Sequence, residues 1–224
     1  SWNEQDGWTR VGTVTVSKDG APWLLPRDAA SSQALVIAQH AAWSLADYGY
    51  RARVGAYVWN RDKRKKVSSW PKGRDRSRTV PLVWATQIGQ DGKFRFVSRS
   101  NKERRARYVR LRQDDRRGVI DRACVILQRT SSRGQRRRLV AAVLPRTFVH
   151  KFGGFLGENH VIILEPIGPS AVPRGMLARL LNSEFMCDLY STTSGTASVT
   201  TSGLHALPLP DPHVLGRRPA VGPS

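Results

Sequence analysis

The sequence predicts a mixed α+β fold, with a mostly antiparallel sheet built from hairpins and two main helices. Three observations carry that expectation. Short alternating or continuously apolar runs outnumber helical patterns, most neighbouring runs are joined by turn-like connections, and two longer segments carry apolar residues three and four apart. The regular strand-helix alternation of a parallel sheet is missing. With 224 residues and 40% hydrophobic content the chain is long enough to bury a core. We expect one domain over residues 1–212 and a Pro- and Gly-rich tail over 213–224, which is expected to hang loose.

The elements follow in order. "WTRVGTVTV" (8–16) alternates as a strand does, and "DGAP" (19–22) breaks it. Residues 28–48, "DAASSQALVIAQHAAWSLADY", are alanine-rich with apolar positions at helical spacing; Asp28 can cap the start and Gly49 the end. "RARVGAYVW" (51–59) alternates again and predicts a strand, which makes Trp59 a core residue, as Trp84 is expected to be in the next run. "NRDKRKK" (60–66) is a polar connection. "TVPLVWATQI" and "KFRFVS" flank the turn signal "GQDG" and predict a hairpin. A short helix is expected near 101–111. "CVILQRTSSRGQRRRLVAAVL" (124–144) is a second hairpin with an arginine-crowded tip, and "HVIILEP" (160–166) a buried strand. "PRGMLARLLNSEFMCDLY" (173–190) begins with proline, and Met176, Leu177, Leu180, Leu181, Phe185 and Leu189 repeat at helical spacing.

Charge narrows the function. The chain carries 37 Lys and Arg against 17 Asp and Glu, a net +20, and 28 of those cations fall within residues 51–138 beside only 7 acids. So local an excess repels itself unless a polyanion meets it, which points to nucleic acid. An anionic membrane fits less well, because the basic segment has no helix with one lysine-rich and one apolar face. Arginine dominates, and its planar fork suits phosphates and guanine edges. No apolar stretch approaches the ~18 residues of a membrane span, and no leader opens the chain, so a cytoplasmic protein is expected. Cys124 and Cys187 lie apart inside apolar runs, which supports neither a disulfide framework nor a zinc site.

Signals for chemistry are weak. No GxxxxGK[ST] loop is present, and the glycines of "GGFLGE" (153–158) match no phosphate fingerprint. "DGK" (91–93) has the Asp-x-Lys form of some nuclease sites, with Asp62 or Asp75 as partner carboxylate, but Asp-Gly between apolar runs already has a reason to exist as a turn. His160 has no companion at ligand spacing, and Ser194 and Ser202 have only His205 nearby. No catalytic residue, metal ligand or cofactor-binding residue is assigned.

The segments "LADYGYRARVGAYVWNRDK" (45–63), "VPLVWATQI" (80–88), "VILQRTSSRGQRRRLVAAVLP" (125–145), "ENHVIILEP" (158–166), "LARLLNSEFMCDLY" (177–190) and "SGTASVTTSGLHALPLPDP" (194–212) occur in an order that resembles the C-terminal target-recognition region of type II N6-adenine DNA methyltransferases and fused restriction-modification enzymes. The resemblance covers most of the chain. It implies a bacterial or archaeal domain that reads duplex DNA beside a methyltransferase catalytic domain, in cis or in trans. That catalytic half would hold S-adenosylmethionine and an Asn-Pro-Pro-aromatic motif. Neither is expected here, since the sequence contains no Pro-Pro pair.

A base-modifying enzyme draws its target from the stack while another surface keeps the duplex in register. Two groups are the candidates for that surface. Arg129 and Thr130 stand at one shoulder of the hairpin tip, Arg133 on it, and Arg136, Arg137 and Arg138 at the other shoulder; strand alternation would send Arg136 and Arg138 one way and Arg137 the other. Asn60, Arg61, Lys63, Arg64, Lys65 and Lys66 form a compact cluster suited to phosphates. Asn159 and His160 are a third pair, with DNA contact and internal anchoring equally weighted. The alternatives are a Mg²⁺-dependent nuclease using Asp91 and Lys93, and a general nucleic-acid or RNA-binding module.

Overall fold

The computed structural model describes residues 43–96, 106–112, 115–130, 137–168, 171–193 and 198–215. Its eight strands are β1 (Tyr50–Val54), β2 (Lys65–Val67), β3 (Thr79–Val83), β4 (Tyr108–Arg110), β5 (Cys124–Gln128), β6 (Ala141–Leu144), β7 (Leu156–Gly157) and β8 (Val161–Pro166). The α-helices are α1 (Arg146–Phe152), α2 (Arg174–Leu181), α3 (Glu184–Thr193), α4 (Thr201–Ala206) and α5 (Pro212–Leu215). They make a mixed α+β fold with two four-stranded sheets.

Sheet 1 has the order β1-β8-β5-β6 and is antiparallel throughout. The expected hairpin is its centre: Cys124 faces Leu144, and Leu127 faces Ala141. Both faces are covered. Val125, Leu127, Ile162 and Leu164 point to one cluster, with Leu177, Leu181, Leu189 and Tyr190 from α2 and α3. Cys124, Ile126, Val161 and Ile163 point to another, with Val83, Ile120, Val149 and Phe155. Double coverage explains why "CVIL" and "VIIL" are continuously apolar rather than alternating, since every second residue would be polar if one face met water. Cys124 and Cys187 are both free and buried, and burial pushes both thiols up.

Sheet 2 has the order β2-β4-β3-β7, antiparallel except for the parallel β3–β7 pair. Val80, Leu82, Val109, Leu111, Leu156 and Tyr57 form its buried side. The chain passes from this sheet to sheet 1 through a tight corner, residues 158–160, between β7 and β8.

Several expected elements differ. The strand over 8–16 and residues 28–42 of the first helix lie outside the described residues. Over 43–49 the helix is absent: Trp43 bridges Leu209, and a turn follows. Asp47 accepts from both the Ser44 N–H (2.8 Å) and hydroxyl (2.6 Å), so side chains compete locally with a helical ladder. The short helix near 101–111 is instead strand β4 at Tyr108–Arg110, set between β2 and β3; residues 101–105 lie outside the described ones.

Lys65 and Lys66, expected in a loop, open strand β2. The "GQDG" turn forms, with Ile88 and Phe94 bridged across it. Its preceding strand, however, turns away through a 3₁₀ turn at Ala85–Gln87 and pairs with β4 and β7. The helix over 173–190 is two, α2 and α3, broken at Asn182–Ser183. Pro212–Leu215 form a helical turn at the start of the expected tail. Residues 216–224 lie outside the described ones. No helix among the described residues is long and apolar enough to cross a membrane.

Candidate nucleic-acid interface

Antiparallel pairing sends four chain ends to the same end of sheet 1. Strand β1 leaves there after Val54, β8 begins there at Val161, β5 leaves there after Gln128, and β6 begins there at Ala141. Adjacent strands lie ~4.8 Å apart, so four of them make an edge about 14 Å across, comparable with the ~12 Å width of a DNA major groove.

The corner between β7 and β8 is the hub. Gly55 crosses it so closely that a Cβ there would fall 2.2 Å from the Glu158 carbonyl oxygen, which admits only glycine. Two residues on, Tyr57 N–H donates to Gly157 (3.0 Å), and the Asn159 N–H donates to the Tyr57 carbonyl (2.9 Å). From the other side, Arg129 donates its N–H to the His160 carbonyl (2.8 Å) and Nη1 to the Asn159 carbonyl (3.1 Å). Thr130, exposed, bridges Ser198. Three groups far apart in sequence, around residues 57–61, 129–130 and 159–160, are thus one connected structure.

Within the corner, Glu158 is only 1% exposed, and its carboxylate accepts from the His160 N–H and from ring Nδ1. The His160 side chain remains 46% exposed. Asn159 has its backbone anchored and its side-chain oxygen buried without a hydrogen-bond partner. The internal-anchor role therefore belongs chiefly to Asn159 and Glu158, and the solvent-facing role to His160.

The 60–66 cluster divides. Asn60, Arg61 and Lys63 are exposed beside a tight turn in which the Arg61 and Asp62 N–H groups both donate to Val58 (3.0 and 2.8 Å). Arg64 is used internally: its guanidinium clasps Asp62 through Nε (2.9 Å) and Nη2 (2.5 Å), donates to the Arg117 carbonyl (3.3 Å), and lies over the Tyr57 ring. Burial alone would raise the Asp62 carboxyl, but the Arg64 side-chain and backbone hydrogen bonds outweigh it and hold it below its ordinary value. Lys65 faces Arg110 across β2 and β4, and Lys66 follows it on the strand. Ala56, Lys63, Arg64, Arg112, Asp115 and Arg117 are among the residues lining an open cleft of about 410 Å³.

The hairpin arginines divide too. Arg133 and Arg136 lie outside the described residues. Arg137 and Arg138 go different ways: Arg137 Nη1 donates to the Gln90 carbonyl (3.2 Å), and the Arg138 guanidinium lies 6.0 Å from the centre of the buried Tyr190 ring. Arg137 thereby ties the "GQDG" turn to the same sheet end.

One group of cations lies elsewhere. Lys72, Arg74, Arg76 and Arg78 are exposed around the 3₁₀ turn Gly73–Arg78, at the start of β3, whereas it is the end of β3 that meets the corner. Asp91, the nuclease candidate, is gripped by the Arg95 guanidinium, whose hydrogen bonds hold its carboxyl well below the usual range. Among the described residues, no group of three His, Cys, Asp or Glu is placed to hold a metal ion.

Sequence reasoning missed two features. Glu158, the buried support of His160, drew no reading of its own. Trp59, expected in the core, is 53% exposed. Trp84 is partly buried and donates Nε1–H to the Ala106 carbonyl (2.8 Å). The sequence matches no known family profile, and no curated protein is significantly similar to it.

Proposed function

We propose that this chain is a duplex-DNA recognition domain, the specificity half of an adenine-N6 DNA methyltransferase or restriction-modification enzyme. The catalytic, S-adenosylmethionine-binding half would be supplied in cis or in trans. One observation supports the reading: from separate parts of the chain, Arg129, Asn159 and His160 meet at one end of sheet 1 and are joined by hydrogen bonds to one another and to Tyr57, which leads into the 60–66 cluster. Thr130 and His160 offer polar groups to solvent there, Asn60, Arg61 and Lys63 are exposed in the turn that follows Tyr57, and Arg137 precedes β6. Phosphate contacts would fix register, and side chains reaching base edges would select sequence. The methyltransferase assignment rests on the ordered motifs, and the DNA reading on charge and geometry.

The experiment is a salt titration of duplex binding, followed by fluorescence anisotropy of a labelled oligonucleotide. With about four to six phosphates neutralised, log K should fall linearly with log salt with a slope of about −4 to −5. Affinity that is flat in salt refutes the reading. The nuclease alternative is weakened by the Asp91–Arg95 pairing, and divalent-dependent cleavage by the chain would revive it.

A further inference from the structure

Trp59 is exposed where the strand pattern would bury it. The turn beneath it is fixed by two hydrogen bonds to Val58, and Lys66 holds the residue from above: Nζ donates to the Trp59 carbonyl (3.0 Å) and stands 5.7 Å from the centre of the indole. Among the described residues, no other aromatic ring packs on it. Its neighbours Asn60, Arg61, Lys63, Lys65 and Lys66 are all exposed and polar or cationic. A protein-docking hot spot would need further apolar groups around the ring to exclude water. An exposed indole braced by one cation, in a stretch of chain rich in exposed cations, is instead the combination that binds unstacked nucleobases, where the ring supplies a flat apolar surface and the cations hold the adjoining phosphates.

We propose that Trp59 is a base-stacking platform that receives a nucleobase from an opened step of bound DNA, with Lys66 fixing the ring. The inference rests on the DNA reading of this surface and adds a contact to the bases themselves. Stacking of this kind removes no counterions, so it contributes affinity without salt dependence. Opening a step is easiest where pairing is already lost, so the platform favours a bulged duplex over an intact one.

The test compares the wild-type chain with Trp59→Leu and Trp59→Phe on two labelled duplexes, one intact and one carrying a single-nucleotide bulge, over a range of salt. The wild type should prefer the bulged duplex. Trp59→Leu should weaken that complex about 5- to 100-fold and abolish the preference with the salt slope unchanged, whereas Trp59→Phe, which keeps a π face, should retain most of it. Lys66→Ala, which keeps the indole but removes its brace and one cation, should weaken the bulged complex and lower the slope by about one. Thermal melting of each variant reads the fold separately. Wild-type affinity for both duplexes in Trp59→Leu, or an equal loss in Trp59→Phe, overturns the platform and leaves the DNA reading standing. Failure of the wild type to bind either duplex refutes both.

Discussion

The buried carboxylate of Glu158 accepts two hydrogen bonds from His160, 2.7 Å from ring Nδ1 and 3.0 Å from the backbone N–H. One acidic side chain thus closes the corner between the two sheets and aims a half-exposed imidazole. Glu158→Gln replaces one acceptor oxygen by a donor, which must face a ring or backbone N–H. The variant should lose about 1–3 kcal/mol of stability, the cost of leaving a buried hydrogen-bonding group without its partner. Thermal unfolding checks this: for a chain of this size each kcal/mol moves the midpoint by about 2–4 °C, and an unchanged midpoint would show that the corner is held by its backbone alone.

Asn182, in the break between α2 and α3, closes the outer edge of sheet 1. Its Oδ1 accepts from the Ala141 N–H and its Nδ2 donates to the Ala141 carbonyl, each at 2.8 Å. The side-chain amide does what a fifth strand would do for β6 at that position, and Ala141 is fully buried. Asn182→Ala should cost about 1–3 kcal/mol because both groups are orphaned. Denaturant unfolding should report a lower midpoint, and hydrogen exchange at Ala141 should accelerate. Slow exchange retained in the variant would contradict the role assigned to the amide.

That contact also shows where the sequence stopped being legible. Strands β5, β6 and β8 were readable because burial on both faces leaves continuous apolar runs, and the arginine-crowded hairpin joins β5 to β6 as expected. The break of one helical pattern into α2 and α3 was not readable. Asn182 is an unremarkable helical residue until β6 is seen beside it. Strand β4 was hidden by a charged neighbourhood that reads as a helix surface, since three residues carry too little periodicity to decide. At the candidate site, charge singled out the 60–66 and 129–138 segments but could not distinguish an exposed cation such as Arg61 from an internal strut such as Arg64. That difference depends on Asp62 and Arg117, contacts created by folding.

The Asp62–Arg64 pair carries a pH signature. The Asp62 carboxyl is held below its ordinary value of 3.8, because Arg64 outweighs the opposing effect of burial. A depressed folded value means that its stabilising contribution is complete above 3.8 and is lost as pH falls through the folded value. Asp62→Asn should therefore melt below the wild type at neutral pH, and the gap should narrow between about pH 5 and pH 2 as the wild-type carboxyl protonates. Melting curves across that range decide it. A gap that stays constant would mean that the pair contributes packing rather than charge.

The central claim is that one end of sheet 1, and not positive charge in general, holds DNA. Two double charge reversals with the same change in net charge separate these possibilities. Arg61→Glu with Lys63→Glu alters exposed cations in the turn that follows Tyr57, the residue bonded to the corner. Arg122→Glu with Arg146→Glu alters exposed residues at the opposite end of sheet 1, just before β5 and just after β6. Duplex affinity measured by anisotropy at one fixed salt concentration should fall more than about tenfold for the first pair, through lost phosphate contacts, and change little for the second. Equal losses in the two variants would contradict the account.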